Sequence, residues 1–151
     1  MPRGAKHYPL PKFLAELDIT QDKYGKWLDK ITTPHLKRDR KRLSCHIDRK
    51  VYRAAIHKAV CSSNGKDYYT GLELDWKLLN HFSEKPIQAT EKGIKRAHQD
   101  RVPSVDHENL DALKPVFRIC SLMTNKCKSD YTLKQVIRFA ENLLRKQKKP
   151  G

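Results

Sequence analysis

The stretch between residues 102 and 128 constrains the fold more than any other part of the chain, because it predicts two strands followed directly by a helix. Val102–His107 and Pro115–Cys120 each have the composition of a short strand, and about seven residues separate them. A connection of this length suits antiparallel neighbours, so we predict a hairpin with a wide loop. Ser121–Lys128 then predicts a short helix with a polar cap, which we expect to fold back over the hairpin.

Two helices are predicted ahead of the hairpin. In the first, Thr20 has the character of an N-cap, and apolar side chains recur at helical spacing as far as Ile31. The second covers Ile47–Cys61 and closes at the Asn64-Gly65 pair, which suits the left-handed end of a helix. A turn at 68–71 and a short helix over 74–82 follow.

The last helix has the clearest pattern in the chain. Thr132 and Gln135 form a capping box, and the basic run at 145–149 suits the negative end of the helix macrodipole. Its apolar residues, at i, i+3, i+4, i+7, i+10 and i+11, are Leu133, Val136, Ile137, Ala140, Leu143 and Leu144.

These elements predict an α+β fold in which α-helices surround a two-stranded hairpin and its short helix. We expect residues 1–46 to form a basic helical arm and 47–151 to form the main domain. Within the main domain, residues 83–101 lose periodicity and are predicted to be an exposed insertion loop or a ragged helix.

Net charge is the composition feature that points to a partner. The chain carries 32 Lys and Arg against 17 Asp and Glu, a net charge of +15. Neutralising phosphates with such side chains releases counterions and gives sequence-independent affinity for nucleic acid. The candidate phosphate-binding residues lie in the arm and the insertion loop: Lys37, Arg38, Arg40, Lys41, Arg42, Lys95 and Arg96. The alternative interpretation of the arm residues is a solvated charge run.

Other partners and sites are not favoured by the sequence. No apolar run approaches the roughly 18 residues of a membrane span, and the first residues lack the apolar core of a signal peptide. We therefore expect a soluble, cytoplasmic protein with no membrane partner. The four cysteines, at positions 45, 61, 120 and 127, include no closely spaced pair. Neither a disulfide framework nor a structural zinc site is expected.

Asp106 and His107, at the end of the first predicted strand, are the candidate chemical residues. Adjacent strand residues point to opposite sides, so one can bind a metal while the other acts on water. If the short helix folds back over the hairpin, Asn125 can supply a second oxygen ligand for a hard divalent cation. Phosphodiester hydrolysis needs such a base and such a cation. The alternative is that the Asp-His pair is structural.

Four segments carry a resemblance to a known family: Tyr69–Trp76, Pro103–His107, Phe117–Ser121 and Asn125–Asp130. Together they resemble HNH-type nucleases of the ββα-metal (His-Me finger) superfamily, in particular small bacterial and phage proteins with a YTG-LDW segment. The likeness covers about residues 60 to 145. It implies a cytoplasmic, bacterial or phage-encoded endonuclease that hydrolyses duplex DNA and leaves 5′-phosphate and 3′-hydroxyl ends.

The resemblance also implies roles for individual residues. His107 would be the general base, Asp106 and Asn125 would bind one divalent cation, Mg²⁺ or else Mn²⁺ or another divalent ion, and Lys128 would contact phosphate. The family's middle Asn, which steadies the loop, falls at Val116 here, and Asn109 is the candidate substitute. Because the zinc-binding cysteine pairs of many relatives are missing, we expect Trp76, Tyr69 and the C-terminal helix to hold the core instead.

Two alternatives to the nuclease stay open. A non-catalytic DNA-binding protein could retain the HNH scaffold, which the residue at position 116 favours and the Asp106, His107 and Asn125 trio opposes. An RNA-binding protein fits the charge but lacks the aromatic pattern or GXXG loop of common RNA-binding modules. The sequence also leaves open whether a homodimer forms on DNA.

Overall fold

The computed structural model of the chain describes residues 8–79, 99–109 and 111–148. Within these residues the fold is α+β, with five α-helices, one 3₁₀ turn and a two-stranded antiparallel hairpin. In chain order the elements are α1 (Lys12–Ala15), α2 (Gln21–Leu43), α3 (Arg49–Ser63), the 3₁₀ turn (Trp76–Leu78), β1 (Pro103–Asn109), β2 (Val116–Ser121), α4 (Leu122–Lys128) and α5 (Leu133–Lys148).

Helix α2 begins where the sequence predicts and is longer than expected. The Thr20 hydroxyl accepts a hydrogen bond from the Lys23 amide, which satisfies one of the free donors of the first turn. The helix then continues through Pro34 and the whole basic run, and it ends where Ser44 takes a left-handed φ of 49°. Because the basic run is helical, its side chains are divided between an exposed side and a buried one.

Helix α3 confirms the second prediction and packs beside α2. The Asp48 carboxylate caps it by accepting from the Lys50 amide, and Asn64 ends it in the left-handed region. Gly65 follows with a φ of 81°, and its carbonyl accepts a hydrogen bond from Trp76 Nε1. A side chain at position 65 would lie 3.3 Å from that indole nitrogen, so the close approach requires glycine.

The predicted hairpin and the helix after it are confirmed. β1 and β2 pair antiparallel, with Val105 opposite Ile119 and His107 opposite Phe117, and the register shifts between His107 and Asn109. Helix α4 follows β2 without a loop and is capped by the hydroxyl of Ser121. Since adjacent strand residues point to opposite sides, Asp106 and His107 belong to different faces of the hairpin.

One hydrophobic cluster connects these elements. It contains Trp27, Leu28 and Leu36 of α2 as well as Tyr52 and Ile56 of α3, and it extends to the 3₁₀ turn and the hairpin. Residues on both sides of position 46 therefore share a core. The expectation that residues 1–46 act as a DNA-binding arm concerns function and stays a prediction.

The C-terminal helix departs from expectation. Its capping box is present, since the Thr132 amide donates to Gln135 and the Gln135 amide donates to Thr132. However, α5 buries none of its residues, and Phe139 is 67% exposed. The expectation that this helix holds the core is wrong. Amphipathic spacing specifies a helix with one apolar side but does not specify what that side contacts.

The segment between the 3₁₀ turn and β1 is described in part. Residues 68–71 form the predicted turn, whereas the helix predicted over 74–82 is a single 3₁₀ turn as far as residue 79. The rest of that helix and the insertion loop, except residues 99–101, lie outside the described residues. In the described part of the chain, no helix combines the length and the apolar character that crossing a membrane requires.

Candidate functional site

A cleft of about 780 Å³ brings the predicted site residues together. Asp106 and His107 from the middle of β1 line it, and so does Asn125 from α4. The C-terminal half of α2 forms another wall. Residues nearly twenty positions apart in sequence therefore reach one cavity because α4 folds back on the hairpin.

The Asp106 carboxylate is held by two partners. Its Oδ2 accepts a hydrogen bond from the Tyr69 hydroxyl at 2.5 Å, and it lies 3.0 Å from Nζ of Lys128. Burial, followed by the hydrogen bond to Asp106, raises the pKa of Tyr69, which keeps its hydroxyl protonated as a donor. The second oxygen, Oδ1, makes no hydrogen bond or ion pair with the described residues.

Asn125 is oriented by the strand that carries Asp106. Its Nδ2 donates to the Ser104 hydroxyl at 3.0 Å and to the Val105 carbonyl at 3.2 Å. Both donors of the amide are therefore used on β1. Its Oδ1 accepts no hydrogen bond from the described residues, and Asn125 lines the same cleft as Asp106.

A hard divalent cation fits this donor set. Asp106 and Asn125 each keep one oxygen without a partner among the described residues, and Mg²⁺ commonly takes one or two protein oxygens with water and phosphate at its other positions. In the same part of the chain, no three His, Cys, Asp or Glu side chains group together as a metal site.

His107 occupies the other face of the hairpin and is almost fully covered. Its side chain is 4% exposed, and its ring stacks on Phe117 with centroids 4.3 Å apart. Burial lowers the pKa of His107 below its ordinary value, although the nearby Asp39 carboxylate acts in the opposite direction. The imidazole is therefore neutral near pH 7. Its Nε2 is buried without a hydrogen-bond partner among the described residues.

Asp39 is the site residue that sequence reasoning missed. Its carboxylate is fully buried, with Oδ2 lying 2.6 Å from Nδ1 of His107 and accepting from the Tyr52 hydroxyl at 2.7 Å. The contact with His107 is short, but it does not have the alignment of a hydrogen bond. A signal was present in the sequence, since Asp39 continues the helical stripe of Ile31 and His35 inside an otherwise exposed basic run.

Asp67, also missed, fastens the turn at 68–71 to the start of α4. Its Oδ1 accepts from the amides of Tyr69 and Thr70, and its Oδ2 accepts from the Ser121 amide and the Thr124 hydroxyl. One buried carboxylate thus fixes both the segment that carries Tyr69 and the helix that carries Asn125. These hydrogen bonds to Asp67 provide part of the stabilisation that was expected from the C-terminal helix.

The predicted phosphate-binding residues of α2 have different surroundings. Arg38 and Arg42 line the cleft, and Arg42 also pairs with Asp130 at 3.3 Å. Arg40 instead donates two hydrogen bonds to the Ile47 carbonyl and holds the connection between α2 and α3. Lys37 and Lys41 are exposed away from the cleft lining, and Lys95 and Arg96 lie outside the described residues.

Asn109 lies at the loop end of β1, where its Oδ1 accepts a hydrogen bond from the Val116 amide at 2.8 Å. This bond spans the base of the hairpin loop beside the register shift. Asn109 is therefore placed to steady the hairpin loop. The donor, Val116, is the residue that stands where HNH nucleases have their middle Asn.

No protein-family model, curated protein or solved structure matches this chain. Its function therefore has to be inferred from the geometry of the cleft.

Proposed function

We propose that this protein is a metal-dependent endonuclease of the HNH type, with a ββα-metal core formed by β1, β2 and α4, that hydrolyses DNA phosphodiester bonds. The observation that carries the proposal is that Asp106 and Asn125 line one cleft, with His107 at the strand position after Asp106. The net charge of +15 and the arginines on the cleft wall support a polyanionic substrate.

In this proposal Asp106 and Asn125 hold one divalent cation, Mg²⁺ or Mn²⁺. When bound, the cation neutralises charge on the scissile phosphate and on the leaving oxygen. Arg38, Arg42 and Lys128 attract the phosphates of the strand into the cleft. Asn109 keeps the hairpin loop in one conformation.

His107 acts as the general base on water. Its lowered pKa suits this task, because a neutral imidazole has a free lone pair with which to accept a proton. The Asp39 carboxylate beside Nδ1 favours the tautomer that leaves Nε2 as the acceptor. Since Nε2 is buried, the proposal requires the cover over the ring to open when substrate binds.

A second candidate is a DNA-binding protein that keeps the same scaffold without cutting. The burial of His107 favours it, since a ring enclosed by Phe117, Tyr52 and Asp39 is also the environment of a structural histidine. In that case the cleft would hold the backbone of DNA through its arginines. Asp106 would then serve only as the partner of Lys128.

The test is incubation of supercoiled plasmid with the purified protein. We expect conversion to nicked or linear DNA with Mg²⁺ or Mn²⁺, no conversion with EDTA, and none with the His107→Ala variant. The exposed His46→Ala variant is the matched control and should cut normally. A plasmid that stays intact but shifts in a low-salt gel would support the binding protein instead. Tighter binding of single-stranded RNA than of duplex DNA across a salt titration would contradict both candidates.

The proposal includes a cytoplasmic location in a bacterium or a phage-infected cell. It also includes a homodimer as the form that would cut both strands of a duplex. Nicked circles without linear product would indicate that one copy acts alone.

A further inference from the structure

The candidate metal ligand Asp106 already forms an ion pair with a cationic side chain of the protein. The Lys128 ammonium lies 3.0 Å from its Oδ2, and the two side chains are only 11% and 5% exposed. The same ammonium lies 5.6 Å from the centre of the Tyr69 ring, and the Tyr69 hydroxyl donates to the same carboxylate oxygen. A carboxylate this deeply buried needs such compensation, because an unpaired charge is costly in a medium of low dielectric constant.

We infer that Lys128 is the resident counterion of Asp106, which an incoming divalent cation displaces toward the cleft, where the freed ammonium binds the phosphate of the substrate. This inference rests on the proposed function, since it concerns the regulation of the same metal site. It makes cation binding and phosphate binding mutually dependent.

The physical reason is repulsion between two cations on one buried carboxylate. Like charges a few ångströms apart repel strongly where water is scarce. Lys128 can yield because its charge lies at the end of a flexible four-carbon stem, and because its side chain lines the cleft. Asn125 lies three residues earlier on α4, so the helix presents the metal ligand and the displaceable ammonium on one side.

The coupling is reciprocal. If a phosphate in the cleft draws Lys128 away from Asp106, the affinity of Asp106 for a divalent cation rises by the same factor by which the cation raises phosphate affinity. Without nucleic acid, Lys128 therefore holds cation affinity down. Removing its charge should raise that affinity in the absence of any substrate.

The experiment measures Mn²⁺ binding to the protein alone, by calorimetry and by the spin-resonance signal of free Mn²⁺ at constant ionic strength. We expect the Lys128→Met variant to bind at least about five-fold more tightly than the unmodified protein. Lys126→Met is the matched control, because Lys126 also lines the cleft from α4, is exposed, and forms no ion pair with Asp106. It should leave Mn²⁺ affinity nearly unchanged.

The Lys128→Met/Asp106→Asn double variant distinguishes a failure of the proposed metal site from a failure of the counterion inference alone. Equal Mn²⁺ binding by the double variant and by Lys128→Met would show that Asp106 is not a ligand, which overturns the metal site of the proposed function and this inference with it. Binding that depends on Asp106 but is no tighter in Lys128→Met than in the unmodified protein would overturn this inference alone. Should Lys128→Met fold poorly, Lys128→Gln keeps a polar contact, and a larger thermal stabilisation by Mn²⁺ than in the unmodified protein is the expected result.

Discussion

The two faces of the hairpin differ although their key residues are neighbours in sequence. On the Asp106 face, a carboxylate, an ammonium, a phenol and an amide meet at the edge of an open cleft. On the His107 face, the imidazole lies among Phe117, Tyr52 and His35, with one buried carboxylate beside it. One step along a strand therefore changes the surroundings from polar to aromatic, although the Asp106 and His107 side chains are buried to the same degree, at 5% and 4% exposed.

The difference shows how one fold can prepare two kinds of charge chemistry. Both faces contain a buried carboxylate with a tyrosine hydroxyl donating to it, Tyr69 to Asp106 and Tyr52 to Asp39. The remaining partners differ, because Asp106 has a buried ammonium at 3.0 Å, whereas Asp39 has a neutral imidazole at 2.6 Å and the exposed Arg38 guanidinium at 3.8 Å. The first carboxylate is therefore compensated by an ammonium on a flexible stem, and the second lies against a ring that is neutral near pH 7.

Among the polar residues of the two faces, removing Asp39 should have the largest effect on stability. The Asp39→Ala substitution leaves the Tyr52 hydroxyl and the His107 ring without their buried partner, and we expect a loss of about 3 kcal/mol in the free energy of unfolding. Urea denaturation at pH 7 is the measurement. Asp22→Ala on the same helix is the control, because its ion pair with Lys26 is exposed, and it should cost less than about 1 kcal/mol. Similar losses in the two variants would show that the His107 face is not held by Asp39.

The His107 face should also be the acid-sensitive one. Burial, followed by the charge of Arg38, lowers the pKa of His35 from 6.5 to about 4. Between these values the unfolded chain binds a proton that the folded His35 does not, so stability falls as pH falls from 6.5 toward 4 and is unaffected by this group above 6.5. At pH 4.5 the lost stability should be about 2 kcal/mol.

Urea denaturation of His35→Gln at pH 7 and pH 4.5 isolates this contribution. We expect the difference in unfolding free energy between the two pH values to shrink by about 2 kcal/mol relative to the unmodified protein. His46→Gln is the matched control, since His46 is exposed and should leave the difference unchanged. An unchanged difference in His35→Gln would mean that the ring is accessible to protons in the folded state.

On the Asp106 face a smaller effect is expected from Tyr69→Phe. The substitution removes the hydroxyl that donates to Asp106 but leaves Lys128 in place, and we expect a loss of about 1 to 2 kcal/mol in urea denaturation. Tyr68→Phe is the control, because Tyr68 is 53% exposed and its contact is between its ring and the Arg118 guanidinium, which the substitution keeps. A loss as large as that of Asp39→Ala would remove the energetic distinction between the polar Asp106 face and the aromatic His107 face.

Much of the local structure could be predicted from the sequence, because it depends on neighbours along the chain. The cap at Thr20, the capping box at Thr132 and the β1–β2 hairpin are confirmed for this reason. The pairing of Asp39 with His107 could not be predicted, because it depends on how α2 lies over the hairpin, 68 positions away. The burial expected of α5 was wrong for a related reason, since a periodic pattern does not identify a packing partner.

The smallest effect on the free energy of unfolding should come from a substitution on α5, and it serves as the reference for the substitutions on both faces. Leu144 on α5 is 56% exposed, whereas Leu28 on α2 is 1% exposed, so the same Leu→Ala change tests burial alone. We expect Leu144→Ala to change the free energy of unfolding by less than about 0.5 kcal/mol, and Leu28→Ala to cost about 2 to 5 kcal/mol through the cavity it leaves. Equal losses in urea denaturation would show that the apolar side of α5 is covered in solution. The same comparison at increasing protein concentration would then show whether a second copy covers it, because stability from association rises with concentration.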